Sequence, residues 1–277
     1  MAVSLIAFSS CQDQISIPGG DGETQAPGNE EIIYPIEKTF YSVDGFSKTL
    51  LNSTQVLWET GDKINLFWSE GGGGSTSAVA APFNSNANAE FRTRVAEDAK
   101  TFYAVHPYSD EASLSDGKVT VMVPTVQDGT FSSACIAAAK ADADHLAFKH
   151  MVSFVEFSID KCGTLTFSCG PNIAGEVSAT FDEGGLLDVT QSGTDDVITV
   201  DIPCSGTYYI ALLPEVEMEY LSFTLTDGSK TEYILSTKPK TMTRGKLIGL
   251  GNITDRFSSK RPLGATTESF EIFDYIF

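Results

Sequence analysis

Apolar residues alternate with polar ones over much of this chain, and this two-residue period is the feature that most restricts its fold. The period is clear in four segments, residues 63–68, 118–123, 155–159 and 198–202. A strand places successive side chains on opposite faces, so the period predicts strands with one face on a core and the other in water. Residues 221–235 show the same period on both sides of Asp227-Gly228, which predicts a β-hairpin.

The spacing of these segments predicts an all-β fold built from sandwiches. Short strands that are separated by turn signals about every ten residues are typical of that architecture. With 277 residues the chain is long for one core, so we expect two domains. Residues 132–144 are rich in alanine, which predicts a helical turn or two. This stretch divides a first domain, residues 38–144, from a second, residues 145–277.

The balance of charge argues against one class of partner. The chain has 37 acidic and 18 basic residues, which gives a net charge of −19. Nucleic-acid binding depends on clustered Lys and Arg, so no nucleic-acid partner is expected. The acidic residues are spread along the chain, which indicates a solvated and mutually repelling surface.

The first eleven residues have the pattern of an export signal. Residues 2–8 are almost wholly apolar, and two serines and Cys11 follow. The Cys at the cut point predicts a bacterial lipoprotein, with Cys11 acylated, palmitate included, and the protein tethered outside the cytoplasm by its lipid. Phe8 stands where such signals usually have Leu, and no basic residue precedes Cys11. A true start upstream of Met1 would explain the missing charge. An apolar tail with a chance cysteine is the alternative.

Residues 12–37 predict a flexible, acidic tether. They contain several glycines and no basic residue, and Lys38, at their end, is the first Lys or Arg of the chain. No apolar run approaches the roughly 20 residues of a membrane-spanning helix, so any membrane attachment is expected through lipid.

The other four cysteines leave their pairing open. They are Cys135, Cys162, Cys169 and Cys204. Four fit two disulfides in an oxidising compartment, and Cys162 could face Cys169 across a hairpin. Free buried thiols are the alternative. No CxxC pair is present, so a cysteine-based zinc site is not expected.

Five short segments follow one another in an order that resembles a known family. They are residues 58–64 (WETGDKI), 102–108 (FYAVHPY), 123–127 (VPTVQ), 146–151 (LAFKHM) and 208–214 (YYIALLP). The set is similar to the hairpin and strand motifs of fimbrillins, the type V pilins of Gram-negative gut and oral anaerobes. In that family the fourth motif opens the second domain.

The resemblance implies two tandem transthyretin-like β-sandwich domains with Greek-key connections, and neither catalysis nor a cofactor. It implies a cell-surface lipoprotein of the outer membrane and fimbrium, acting in adhesion as a fimbrial subunit or as a tip or anchor accessory. Its partners would be other subunits, self or paralogues, and host surface proteins or glycans. Members assemble by β-strand donation: a trypsin-like protease cuts after a basic residue, and a neighbour's strand fills the groove that opens. The sequence does not separate stalk, tip and anchor roles.

Two segments are candidates for that assembly. Lys38 is a possible trimming site, although the family's better-studied members use Arg, and a solvated residue at the start of the first strand is the alternative. Residues 268–277 are apolar and aromatic to the last residue, which predicts a strand that is either donated to the next subunit or docked in its own domain. Its candidate donor residues are Phe270, Ile272, Phe273, Tyr275 and Phe277.

Other sites are less well supported by the sequence. His145 and His150, with Asp142 and Asp144, could bind a metal, but their spacing suits neither one helix face nor one strand face. Gly71 to Gly74 lack the Gly-Lys-Ser/Thr ending of a phosphate loop. Binding of glycans by a surface lipoprotein of a carbohydrate-uptake system is the alternative function. Its candidate stacking residues are Trp58, Trp68, Tyr103 and Tyr108.

Overall fold

The computed structural model describes residues 35–42, 57–84, 86–183, 185–237, 239–261 and 273–276, the last of these by their backbone. The predicted lipidation site Cys11, most of the tether and the donor candidates Phe270, Ile272 and Phe277 lie outside the described residues. Within these ranges the regular structure is almost entirely strand, so the predicted all-β sandwich fold is confirmed. Among the helices described here, none has the length and apolarity needed to span a membrane.

The strands fall into two sets along the chain. The first set is β1 (Pro35–Ser42), β2 (Lys63–Trp68), β3 (Gly74–Phe83), β4 (Asn88–Ala96), β5 (Phe102–His106), β6 (Ser113–Ser115), β7 (Lys118–Val123), β8 (Val126–Gln127), β9 (Ala137–Ala141), β10 (His145–Leu146) and β11 (Lys149–His150). The second set is β12 (Ser153–Ile159), β13 (Gly163–Ser168), β14 (Ala174–Asp182), β15 (Gly185–Asp195), β16 (Val197–Ile202), β17 (Gly206–Leu212), β18 (Val216–Met218), β19 (Leu221–Asp227), β20 (Lys230–Ser236), β21 (Lys240–Met242), β22 (Lys246–Asn252) and β23 (Phe273–Ile276). Helix α1 (Phe131–Ala134) precedes β9, and a 3-10 turn (Thr254–Arg256) follows β22.

Eight strands form the first sheet, in the order β10-β1-β4-β3-β2-β5-β9-β11. Alternate side chains of its strands enter one apolar core, as the two-residue period predicts. Phe40, Phe91 and Phe102 are fully buried there, and the rings of Phe40 and Phe102 meet edge to face at 4.8 Å. Trp58 packs into the same core beside Phe91.

A second, larger core lies between sheets of the later strands. One sheet has the order β17-β12-β22-β23 and another the order β20-β19-β13-β16-β8. Phe157 of the former contacts Phe223 of the latter, with ring centroids 5.4 Å apart. β19 and β20 form the predicted hairpin, in which Asp227 pairs with Lys230.

Strand pairing crosses the predicted domain boundary. β7 pairs with β14 and β8 pairs with β16, so residues 118–127 join sheets that also contain strands of the second half. β10 and β11, at residues 145–150, pair instead with β1 and β9 of the first sheet. The boundary between residues 144 and 145 stays a prediction. The first strand begins at Pro35, slightly before the expected start at Lys38.

The alanine-rich stretch is helical only at its start. Thr130 caps α1 by accepting a hydrogen bond from the Ser133 N–H, and the helix ends at Ala134. Helix was the wrong prediction for residues 137–141, which form β9. β9 pairs with β5 on one side and β11 on the other. Its small side chains suit a strand between two cores, because Ala137 and Ala139 face the first core and Ala138 faces the second.

Candidate functional site

The C-terminal strand β23 docks on its own chain. It runs antiparallel to β22, with Phe273 opposite Gly249 and Ile276 opposite Lys246. Phe273 and Tyr275 are therefore in a strand, as the sequence predicted for this tail. The docked position is the alternative in which the tail completes its own domain, and donation to another copy stays a prediction.

The neighbour of β23 is a buried strand. β22 lies between β23 and β12, and it runs parallel to β12. Its residues Leu247, Ile248 and Leu250 are buried. Among the strands that the structure describes, β23 is the outermost of this sheet, and β22 is its paired neighbour. Backbone pairing with β22 places β23 at this edge of the sheet.

Lys38 lies in the middle of β1 and turns inward. It is opposite Thr93 of β4, and its Nζ lies 4.1 Å from the ring centroid of Phe102 and 5.4 Å from that of Phe40. Burial lowers the pKa of the Lys38 amine, and the charge of Asp144 opposes that shift. A trypsin-like protease must take this side chain into its own specificity pocket, so β1 has to leave the sheet before it can be cut after Lys38.

Of the residues that a cut after Lys38 would remove, the structure describes 35–38, and none of these is fully buried. Pro35, Ile36 and Glu37 are exposed and Lys38 is half-buried, whereas Phe40 is fully buried. Phe40 stays in the part of β1 that remains after such a cut. Removal of residues 35–38 therefore does not by itself uncover a long apolar groove of the kind that a donated strand requires.

Sequence reasoning missed the residues that hold Lys38. Phe102 lies under its amine, and Asp144 is the carboxylate that acts on its charge. Both are far from Lys38 along the chain, so no local pattern could have indicated them.

Cys162 and Cys169 do not face each other across a hairpin, so that option was wrong. They flank the two ends of β13, Cys162 before Gly163 and Cys169 after Ser168. A six-residue strand spans about 20 Å, which is far beyond the reach of a disulfide. Cys169 is buried and Cys162 is exposed. Burial raises the pKa of the Cys169 thiol to about 12, so it is an unreactive thiol at neutral pH.

Cys135 lies between two histidines in the interior. Its Sγ is 3.8 Å from Nδ1 of His150, and its carbonyl oxygen is 3.2 Å from Nδ1 of His106. Burial raises the pKa of the Cys135 thiol well above its usual value. Burial also lowers the pKa of His106, and lowers that of His150 to about 3. A neutral thiol beside neutral imidazoles, away from solvent, lacks the thiolate that nucleophilic catalysis needs.

The two histidines considered for a metal site lie in different surroundings. His145 is exposed and its Nδ1 lies 2.6 Å from Oδ1 of Asp144, whereas His150 is buried. Across the ranges that the structure describes, no three His, Cys, Asp or Glu side chains are grouped closely enough to hold a metal ion.

The four candidate aromatic residues for glycan stacking do not form one exposed plane. Trp58 and Tyr103 are buried. Tyr108 is exposed, and its hydroxyl donates a hydrogen bond to Oδ1 of Asp110 at 2.7 Å. Trp68 is half-buried and lines a cavity of about 570 Å³. A Cβ at position 74 would lie 2.3 Å from Cζ2 of Trp68, so the ring needs glycine there.

Comparison with known proteins gives one family. The sequence profile described as fimbrillin-like matches residues 48–250, most of the chain. Among curated proteins, none matches this sequence.

Two solved structures are similar to this chain. The crystal structure of a candidate cell adhesion protein of Bacteroides ovatus superposes with a TM-score of 0.51 at 14% identity, covering 89% of this chain and 99% of that one. A candidate cell adhesion protein of Parabacteroides distasonis has a TM-score of 0.41 at 8% identity, over 88% of this chain and 98% of that one. At such identities the first similarity shows the fold alone.

Proposed function

This chain belongs to the fimbrillin-like family, and from that membership we propose that it is a non-enzymatic fimbrial subunit or accessory protein at the cell surface. It acts in adhesion and binds other subunits by exchanging its C-terminal strand. The cell adhesion description of the Bacteroides ovatus structure supports the same role.

The position of β23 at the sheet edge is the observation that carries the proposal. β23 pairs with β22 at four positions and is the outermost of the strands that the structure describes in this sheet. The β22 edge accepts the same backbone pairing from a second copy, because hydrogen bonds between main chains do not depend on which chain supplies the strand. Repeated head to tail, this contact gives an open polymer, and closed on itself it gives a swapped dimer.

The structure of β1 supports an accessory or anchor role over a trimmed stalk role. Lys38 is part of β1, which is paired with β4, and its side chain faces inward. A protease therefore cannot remove the N-terminal segment as long as β1 stays folded. A retained segment keeps the predicted lipid on Cys11 and the outer-membrane tether. Mass spectrometry of the mature N-terminus from cells tests this role. Acylated Cys11 supports the anchor, and a start at Thr39 contradicts it.

Deletion of residues 268–277 tests strand exchange directly. We expect the truncated chain to stay folded and to lose polymers completely, as seen on a gel run after mild, unreduced heating in detergent. Strand-donated polymers survive such treatment as a ladder, whereas a simple binding module runs as one band. Polymers formed by the truncated chain would contradict the proposal.

An engineered disulfide distinguishes loss of strand exchange from loss of the C-terminal strand itself. Lys246 and Ile276 are directly opposite each other in the β22–β23 pair, so Lys246→Cys with Ile276→Cys can be bridged. The oxidised double variant holds β23 in its own domain and should stay monomeric. Reduction should restore assembly in the same sample. The single variant Ile276→Cys is the matched control, and it should assemble in both states.

Glycan binding is the second candidate function, and the cavity at Trp68 is the observation that favours it. The indole lies there beside Ser75, Ser113 and Asp116, so an aromatic face adjoins polar groups. Tryptophan fluorescence titrated with a panel of mono- and oligosaccharides tests it. A saturable change that Trp68→Ala abolishes supports binding, and an unchanged spectrum across the panel excludes it.

A further inference from the structure

The outer edges of the second sandwich are covered in different ways. Its two sheets have the orders β17-β12-β22-β23 and β20-β19-β13-β16-β8, so β17, β23, β20 and β8 are the outermost of the described strands. An outermost strand has a row of outward N–H and C=O groups that can pair with a strand of another chain. The groups that cover each edge therefore decide where another copy can bind.

The outward N–H groups at the β17 edge are bonded within the chain. Successive residues of an antiparallel strand turn their N–H groups to opposite sides, so alternate residues of β17 face away from β12. The N–H of Tyr209 donates to the carbonyl oxygen of Gly129 at 2.9 Å. The N–H of Leu213, directly after the strand, donates to the carbonyl oxygen of Ile173 at 2.9 Å. Neither donor is available to an incoming strand.

Gln127 covers the middle of this edge with its side chain. The N–H of Ala211 donates to Oε1 of Gln127 at 2.8 Å, and Nε2 donates to the carbonyl oxygen of Ala211 at 2.9 Å. These two bonds are the pair that a strand residue would make opposite Ala211. Nε2 also donates to the carbonyl oxygen of Pro124 at 3.0 Å, so both donors and the oxygen of this buried amide are used. The side chain thus ties the segment before it to β17.

The other sheet is covered at its edges by the same chain. The backbone of Gln127 lies in β8 and pairs with Val200 of β16, so this one residue lies at an edge of both sheets. At β20, Tyr233 and Ser258 exchange two main-chain hydrogen bonds, of 2.9 and 3.0 Å. Among these edges, the β22 edge is the one that the last described strand covers.

We propose that Gln127 closes β17 to the strands of other copies, so that each copy accepts a strand at β22 alone. This inference rests on the proposed exchange of β23. A copy with one donated strand and one accepting edge joins two neighbours, which gives an unbranched polymer or a closed ring. A second accepting edge at β17 would let a further copy bind, and the polymers would branch.

The test holds β23 in place, so that it does not depend on strand exchange. In the oxidised chain with Lys246→Cys and Ile276→Cys, β22 stays covered, and we expect a monomer by light scattering. Gln127→Ala in the same oxidised chain removes the three hydrogen bonds of the amide and uncovers Ala211. We expect the mass to rise with concentration to that of dimers or larger species. The Ala211 amide should exchange its hydrogen at least about tenfold faster.

Two further variants assign the effect to the β17 edge. Gly129→Ala should act in the same direction, because a Cβ there would lie 2.7 Å from Cδ1 of Tyr208 and would push the covering carbonyl away from the strand. Gln191→Ala is the matched control. Oε1 of Gln191 accepts a hydrogen bond from the N–H of Gly193 in β15, and its loss should leave the monomer unchanged. Circular dichroism checks that each variant is folded.

The outcomes separate this inference from the proposed exchange. Equal masses with Gln127 and with alanine in its place would overturn the inference, even where exchange of β23 is correct. A rise in mass that Gln191→Ala reproduces would overturn it as well. Association of the oxidised chain with Gln127 in place would contradict the exchange of β23 instead, and the difference between the two chains would still report on Gln127.

Discussion

The first and last strands that the structure describes are held in different ways. β1 pairs with β4 at seven positions and with β10 at two, whereas β23 pairs with β22 at four. β1 also places the fully buried ring of Phe40 in the first core, against Phe102. Among the described strands, β23 is the outermost of its sheet and pairs with β22.

This difference indicates which end of the chain exchanges. A strand that is held by backbone pairing along one edge can be replaced by the same strand of another copy at little cost, because the new bonds equal the old ones. A strand with a buried aromatic anchor must expose that ring before it leaves. We therefore expect β1 to be retained and β23 to exchange, and the four predictions below test that contrast.

The largest effect is expected at Phe40. Phe40→Ala removes a fully buried ring and leaves a cavity, so the free energy of unfolding should fall by about 3–5 kcal/mol in urea titrations. Deletion of residues 268–277 should cost less, because β23 pairs along one edge. If the deletion costs as much as Phe40→Ala, the two strands are held equally and the contrast fails.

Acid should destabilise the fold through the buried histidines of β5 and β11. Burial lowers the pKa of His106 and lowers that of His150 from 6.5 to about 3. Between about pH 3 and pH 6.5, His150 is therefore protonated in the unfolded chain and neutral in the folded one, so the unfolded chain binds more protons. The free energy of unfolding should therefore fall as the pH drops below about 6.5, by up to about 1.4 kcal/mol per pH unit for each histidine.

The pH slope can be assigned with two variants. His150→Leu should reduce the slope measured by urea titration between about pH 4.5 and 6 by up to about 1.4 kcal/mol per pH unit. Phe40→Ala is the matched control, since it lowers stability at every pH and should leave the slope unchanged. An unchanged slope in His150→Leu would show that this imidazole is not kept neutral by the fold.

Trypsin should distinguish Lys38 from an exposed basic residue. Cleavage after Lys38 requires β1 to open, whereas Lys260 is exposed outside the strands. We expect cleavage after Lys38 to be at least about tenfold slower, as followed by mass spectrometry of the fragments. Phe40→Ala should accelerate the cut after Lys38 by about tenfold or more and leave the cut after Lys260 unchanged. Rapid cleavage after Lys38 in the wild type would restore the trimmed stalk role.

Local patterns in the sequence predicted the strands but not their partners. The valines of residues 118–123 indicate a strand, because one face needs a core. Its pairing with β14 depends on residues 174–182, which no local pattern connects to it. The alanines of β9 misled the helix prediction, since helix propensity is weak evidence once two cores bury both faces of a segment.

For the candidate sites too, the sequence predicted the residues but not their neighbours in the fold. Lys38 was recognisable as the first basic residue, and the C-terminal tail as an apolar strand. The inward direction of Lys38 depends on Phe102, and the choice of β22 as the partner of β23 depends on the sheet order.

The smallest effect is expected at the exposed charges of β1. Glu37 lies opposite Arg94 of β4, with Oε1 3.7 Å from Nη2, and the two side chains are 85% and 70% exposed. Water screens such a pair, so Glu37→Gln should change the free energy of unfolding by less than about 0.5 kcal/mol in the same urea titration. A loss of more than about 1 kcal/mol would mean that surface charge holds β1 in place. The strand would then loosen with added salt, and a protease could reach Lys38 without any disturbance of the core.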